Sequence, residues 1–158
     1  MLDCLETDDR QVWHNWLSNG GEETLKSLGV SLRFGGYDPR QLAEALGPRR
    51  IEWLRSLPLF HVTEDYLFVH AGIVPGVPLE EQQEKDMLWI RGRFLENDTD
   101  HGRLVIHGHT PTDEPECRQN RIGIDTGAAS SGKLTAVVLS NTEKPRFLNA
   151  TGRLGKGV

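Results

Sequence analysis

Apolar positions along the chain change period near its first third. Gln11 to Leu17 carries Val12, Trp13, Trp16 and Leu17 at helical spacing, and Asn19-Gly20-Gly21 stops it. Glu22 to Leu28 reads as a short second helix closed by Gly29. Asp38-Pro39 opens a third, with Leu42, Ala43 and Leu46 on its apolar face and Gly47-Pro48 ending it. Arg50 to Leu57 is a fourth, stopped by Pro58. From Leu59 onward the pattern shortens to strands. Phe60-His61-Val62 and Tyr66 to Val69 form a hairpin around Thr63-Glu64-Asp65. Glu80 to Phe94 is charged and helical. Leu104 to Ile106, Arg121 to Asp125, Leu134 to Leu139 and Arg146 to Ala150 read as strands, with Gly127 to Gly132 as hairpin-turn chemistry between the second and third of these. The expected fold is α/β, helical in its first third and then mostly mixed or antiparallel strand.

Composition narrows the class. A chain of 158 residues, 37% hydrophobic and 26% charged, is long enough for a core and is read as a single domain over 1–158. A net charge of −5 argues against a nucleic-acid or anionic-membrane binder. No apolar run reaches the roughly 18 residues of a membrane span. The acidic start, Met1 to Arg10, lacks the apolar stretch of a signal peptide. Cys4 and Cys117 are unpatterned, so free thiols and a cytoplasmic location are expected, and neither has the spacing of a zinc-only structural site.

The candidate chemistry sits at strand ends. Tyr66-Leu67-Phe68-Val69 runs into His70-Ala71-Gly72, and Leu104-Val105-Ile106 into His107-Gly108-His109-Thr110-Pro111. A buried strand ending in His-small-Gly delivers an imidazole to the rim of a sheet, and two such deliveries suggest a shared metal site. His107 and His109 alternate, and on an extended backbone they would aim the same way. Arg91, after Trp89-Ile90, is suited to bidentate phosphate binding. Gly127 to Lys133 approaches the P-loop pattern, but Leu134 stands where Ser or Thr is required and a strand follows instead of a helix, so that reading is rejected.

Five segments in order (His14 to Gly21, Val69-His70-Ala71-Gly72, Leu88-Trp89-Ile90-Arg91, His107 to Pro111 and Ile124 to Ala128) resemble the bacterial and phage-type serine/threonine phosphoprotein phosphatases, calcineurin-like metallophosphoesterases. The resemblance covers about residues 1 to 140. It implies a layered α/β sandwich of which this chain is the C-terminal part. It also implies a hydrolase with two divalent metal ions, manganese foremost and iron or zinc as alternatives, acting on a phosphorylated protein or small phosphoester. By resemblance His70 and His109 are ligands of the second metal and Arg91 holds phosphate. His107 is not a ligand in that pattern, and packing or a hydrogen bond to a ligand is its expected role.

The sequence departs from the family in one respect. Gly-Asp-x-His-Gly, Gly-Asp-x-x-Asp-Arg-Gly and Gly-Asn-His-Glu, which supply the other ligands, do not occur, and Met1-Leu2 looks like the residues just after the third. Two imidazoles cannot hold a dinuclear centre that needs oxygen ligands. The expectation is a chain with little or no activity by itself, whose sheet edges are left uncovered. Two other readings stand beside it: a dinucleoside-tetraphosphate hydrolase on the same scaffold, and a non-catalytic remnant that binds a phosphorylated partner.

Overall fold

The computed structural model describes residues 1–31, 38–140 and 143–152. It falls into two compact units, Met1–Leu57 and Pro58–Val158. The fold is α/β, with helices first and a mixed sheet after them.

The first unit opens with a 3-10 turn at Leu2–Leu5, followed by α1 (Arg10–Trp16), α2 (Glu22–Ser27), α3 (Pro39–Leu46) and α4 (Pro48–Ser56). Asp9 caps α1 by accepting from the Gln11 and Val12 amides, and Asp38 caps α3 through the Arg40 amide. The stop expected at Asn19-Gly20-Gly21 is a kink: Asn19 leaves helical geometry, and Gly20 takes φ +90° before α2 begins. Trp13, Leu25, Leu42, Leu46 and Cys4 form the core of this unit. Both cysteines are free thiols.

The second unit is built on β1 (Phe60–Val62), β2 (Tyr66–Val69), α5 (Glu84–Trp89), α6 (Gly92–Leu95), β3 (Leu104–His107), β4 (Glu116–Cys117), β5 (Arg121–Gly123), α7 (Ala128–Ser131), β6 (Lys133–Val138) and β7 (Arg146–Thr151). Five strands make one sheet in the order β1-β2-β3-β5-β4, parallel at β2-β3 and β3-β5 and antiparallel at both edges. β6 and β7 form a separate antiparallel pair. Register sets the faces. Leu67 stands opposite Val105 and Phe68 opposite Ile106, so Leu67, Val69 and Val105 face a core completed by Met87, Ile90 and Phe94 of the α5–α6 region. Phe68, Ile106 and Ile124 line the opposite side.

Three expectations are corrected here. The helix expected over Glu80 to Phe94 is broken into a 3-10 turn at Leu79–Glu81, α5 and α6; Gln82 accepts from the Val74 amide and donates to the Val74 and Val77 carbonyls, using the break to tie down the preceding loop. The Gly127 to Gly132 segment is not a hairpin turn: it holds α7 between two left-handed glycines, and the strands it joins lie in different sheets. The strand expected to reach Asp125 ends at Gly123, because Asp125 turns to accept from the Gly127 amide at 2.9 Å. Among the described residues, no helix is long and apolar enough to cross a membrane.

Candidate metal and phosphate site

β2 ends at Val69, and alternation along it puts His70 on the Phe68 side, away from the core. The loop after it has no room for bulk: a Cβ on Gly72, at φ +149°, would stand 2.3 Å from Phe94 Cδ1. The Ala71 amide donates to the Met87 carbonyl at 2.8 Å, which ties this loop to α5. β3 ends at His107, and the same alternation sends His107 to the core side, beside Phe94.

His109 does not follow His107. Among the described residues it is the one non-glycine with positive φ, at +67°. That backbone reversal carries its ring out of the alternation and towards His70, so the expectation that His107 and His109 point the same way fails. His70 Nε2 and His109 Nδ1 lie 3.1 Å apart, with ring centroids at 4.9 Å. Trp89, at the end of α5 and 54% exposed, meets His109 edge-on at 5.4 Å. Arg91, also exposed, reaches Thr110 Oγ1 with Nη1 at 3.4 Å. Both histidines and Asp125 line a cavity of about 590 Å³ whose walls include Phe60, Phe68, Ile106 and Leu134.

Burial holds the His109 imidazole below its usual pKa, the nearby Arg91 and His70 add to this, and Asp125 opposes it. A neutral imidazole is the ligand form. Burial likewise lowers His107, with Arg121 in the same direction and the Gly108 carbonyl, Glu116 and Asp125 against.

The nitrogen pair fits a divalent ion in one respect. Two nitrogens bound to one ion at about 2.0–2.1 Å stand roughly 2.9–3.4 Å apart for octahedral to tetrahedral angles, and the observed 3.1 Å falls inside that span. His109 Nε2, the ring nitrogen that does not face His70, is buried without a hydrogen-bond partner. The fit stops at this edge. Among the described residues, no three His, Cys, Asp or Glu side chains converge to hold an ion.

The structure thus brings His70 and His109 together and places Arg91 beside them, while His107 lies on the other side of the sheet. Sequence reasoning missed the partners of His107. Arg121, 1% exposed, donates from Nη1 to Glu116 Oε2 at 2.8 Å and to His107 Nε2 at 3.3 Å. A charged residue heading a strand, two positions before a glycine, was the available signal.

No family model matches the chain. It is similar to the symmetrical bis(5'-nucleosyl)-tetraphosphatase of Nitrosomonas europaea, 32% identical over 81 residues, a match covering 38% of this chain and 30% of that relative. The chain therefore spans well under half the length of the curated relative it matches.

Proposed function

We propose that the second unit carries part of the site of a metal-dependent phosphoester hydrolase, of the serine/threonine phosphoprotein phosphatase type. One observation carries the reading: two strand-end imidazoles meet nitrogen to nitrogen at 3.1 Å beside an exposed guanidinium. His70 Nε2 and His109 Nδ1 offer lone pairs to one divalent ion, manganese foremost and iron or zinc as alternatives. Arg91 presents a planar set of donors to phosphate oxygens. A divalent ion held by His70 and His109 in a completed site would supply activation of water and neutralisation of phosphoryl charge. The chain by itself has little or no turnover, because the described residues supply two ligands only.

A second reading is favoured by the tetraphosphatase relative: a dinucleoside polyphosphate in place of a phosphoprotein. Competition separates the two. Binding of a phosphoserine peptide and of a bis(5'-nucleosyl) tetraphosphate is measured with Mn²⁺ present, on the native chain and on Arg91→Ala. The first reading expects the peptide to bind more tightly, with loss of at least tenfold in Arg91→Ala, since a charge-assisted bidentate contact contributes about 1.5–3 kcal/mol. Tighter binding of the tetraphosphate moves the assignment to the second. Equal binding by Arg91→Ala removes Arg91 from the site.

A further inference from the structure

Behind the candidate ligands, on the core side of the sheet, lies a polar chain that the proposed chemistry does not use. Arg121 on β5 is anchored twice, donating to Glu116 Oε2 at 2.8 Å and from Nη2 to the Leu95 carbonyl at 2.9 Å. Its Nη1 also faces His107 Nε2 at 3.3 Å. A guanidinium only donates, so His107 Nε2 is the acceptor and carries no proton. The other ring nitrogen, Nδ1, lies 3.2 Å from the Gly108 carbonyl oxygen, which only accepts, so Nδ1 carries the proton. The two contacts leave a single form, the neutral Nδ1–H tautomer.

The Gly108 carbonyl is the pivot. It accepts from the Thr110 amide at 2.8 Å, closing a three-residue turn around His109. With φ +67° at its centre, this turn has the sign of the rare, strained γ-turn. Strained backbone persists where the surroundings over-determine it. Here the Gly108 amide is held by the His70 carbonyl at 2.9 Å and its carbonyl by His107, so the residue before His109 is held through the peptide on each side of it. Gly123 leaves room beside the ring, since a Cβ there would stand 3.2 Å from His107 Cε1 and press on it. The Phe94 ring closes the other side, edge-on at 5.1 Å.

We infer that His107 and Arg121 are positioning residues: Arg121 sets the tautomer of His107, and His107 holds the Gly108 carbonyl so that His109 Nδ1 faces His70 Nε2. The link to metal binding rests on the proposed ligand roles of His70 and His109; the link to the turn does not.

The experiment uses the full chain. Imidazole ¹⁵N NMR of the metal-free protein reads the tautomer of His107 and the resonances of His70 and His109, and Zn²⁺ alone is then titrated by calorimetry. Two variants separate positioning from bulk. In His107→Asn an amide nitrogen stands where Nδ1 stood and still donates to Gly108. In His107→Gln the amide reaches towards Arg121 and leaves Gly108 without a side-chain donor. Native His107 is expected as the Nδ1–H tautomer. His107→Gln is expected to shift the His70 and His109 signals and to weaken Zn²⁺ about tenfold, as loss of a ligand-orienting partner does. His107→Asn is expected to keep native signals and affinity. A native His107 protonated at Nε2, or a His107→Gln variant with native signals and affinity, overturns the proposal. Should His107→Gln not fold, the native tautomer and His107→Asn decide it. Absence of Zn²⁺ binding to the native chain sinks the ligand reading, while the ¹⁵N signals still judge the positioning.

Discussion

Phe94 packs its ring where a side chain on residue 72 would have to stand, and this contact holds the loop that carries His70. A Cβ at position 72 would lie 2.3 Å from Cδ1, on backbone at φ +149° that only glycine adopts readily. Gly72→Ala is expected to cost about 2 kcal/mol or more, read as a lower urea midpoint, because both overpacking and backbone strain act. His101 and His107 are both held below the ordinary imidazole pKa, chiefly by burial. Arg121 adds to this at His107, and Asp100 opposes it at His101. A lowered histidine favours the folded state above the unfolded value of about 6.5. That stability is lost as pH falls through the lowered folded values. The urea midpoint is thus expected to drop from pH 7.5 to pH 5.5, and a midpoint constant over that range would contradict it. At this scale the delivery of His70 to the sheet rim was legible, because a histidine directly after a buried strand is delivered to a rim wherever the strand lies; the turn that brings His109 to it was not. The role of His107 was not. It depends on Arg121, fourteen positions away, and on a positive φ at His109 that no side-chain pattern encodes.

Elements were legible where their ends are chemical. Asp9 and Asp38 each accept amide hydrogens at a helix start, and Gly47 closes α3 at φ +76°. Asp9→Ala is expected to cost about 1 kcal/mol, measured by thermal unfolding, with little change in the second unit. The interior of 80–94 was not legible as three pieces. Its charge pattern suits one helix, and the breaks arise from tertiary bonds, Gln82 to Val74 and Val77, and Ala71 to Met87. The Gly127–Gly132 segment misled for a related reason. Its two glycines suit a hairpin, yet both take left-handed geometry as the caps of α7, and β6 lies outside the main sheet with Thr135 Oγ1 bonded to Thr126 Oγ1 at 2.8 Å.

Within the second unit the two sheets differ in what covers them. β2 and β3 are flanked by strands on both sides and carry the buried core. Among the described residues β6 and β7 pair only with each other, and Leu134 and Leu148, both exposed, sit diagonally on one face, two residues apart in register. A two-stranded pair is marginal without further cover. Amides of β6 are expected to exchange with deuterium well before those of β3, and equal protection would contradict this. The mixed sheet was legible as a class, since strand-like segments follow helices in the sequence; its order was not, because pairing depends on contacts distant in the chain. We propose that His70 and His109 form one edge of a divalent-metal site that these residues alone do not complete. The most direct measurement counts metal bound per chain during aryl phosphate hydrolysis with and without Mn²⁺, on the native protein, His70→Ala and His109→Ala. We expect no Mn²⁺-dependent turnover and one weakly held ion, lost in either variant. About two ions per chain with Mn²⁺-dependent turnover, or metal binding indifferent to both histidines, would contradict it.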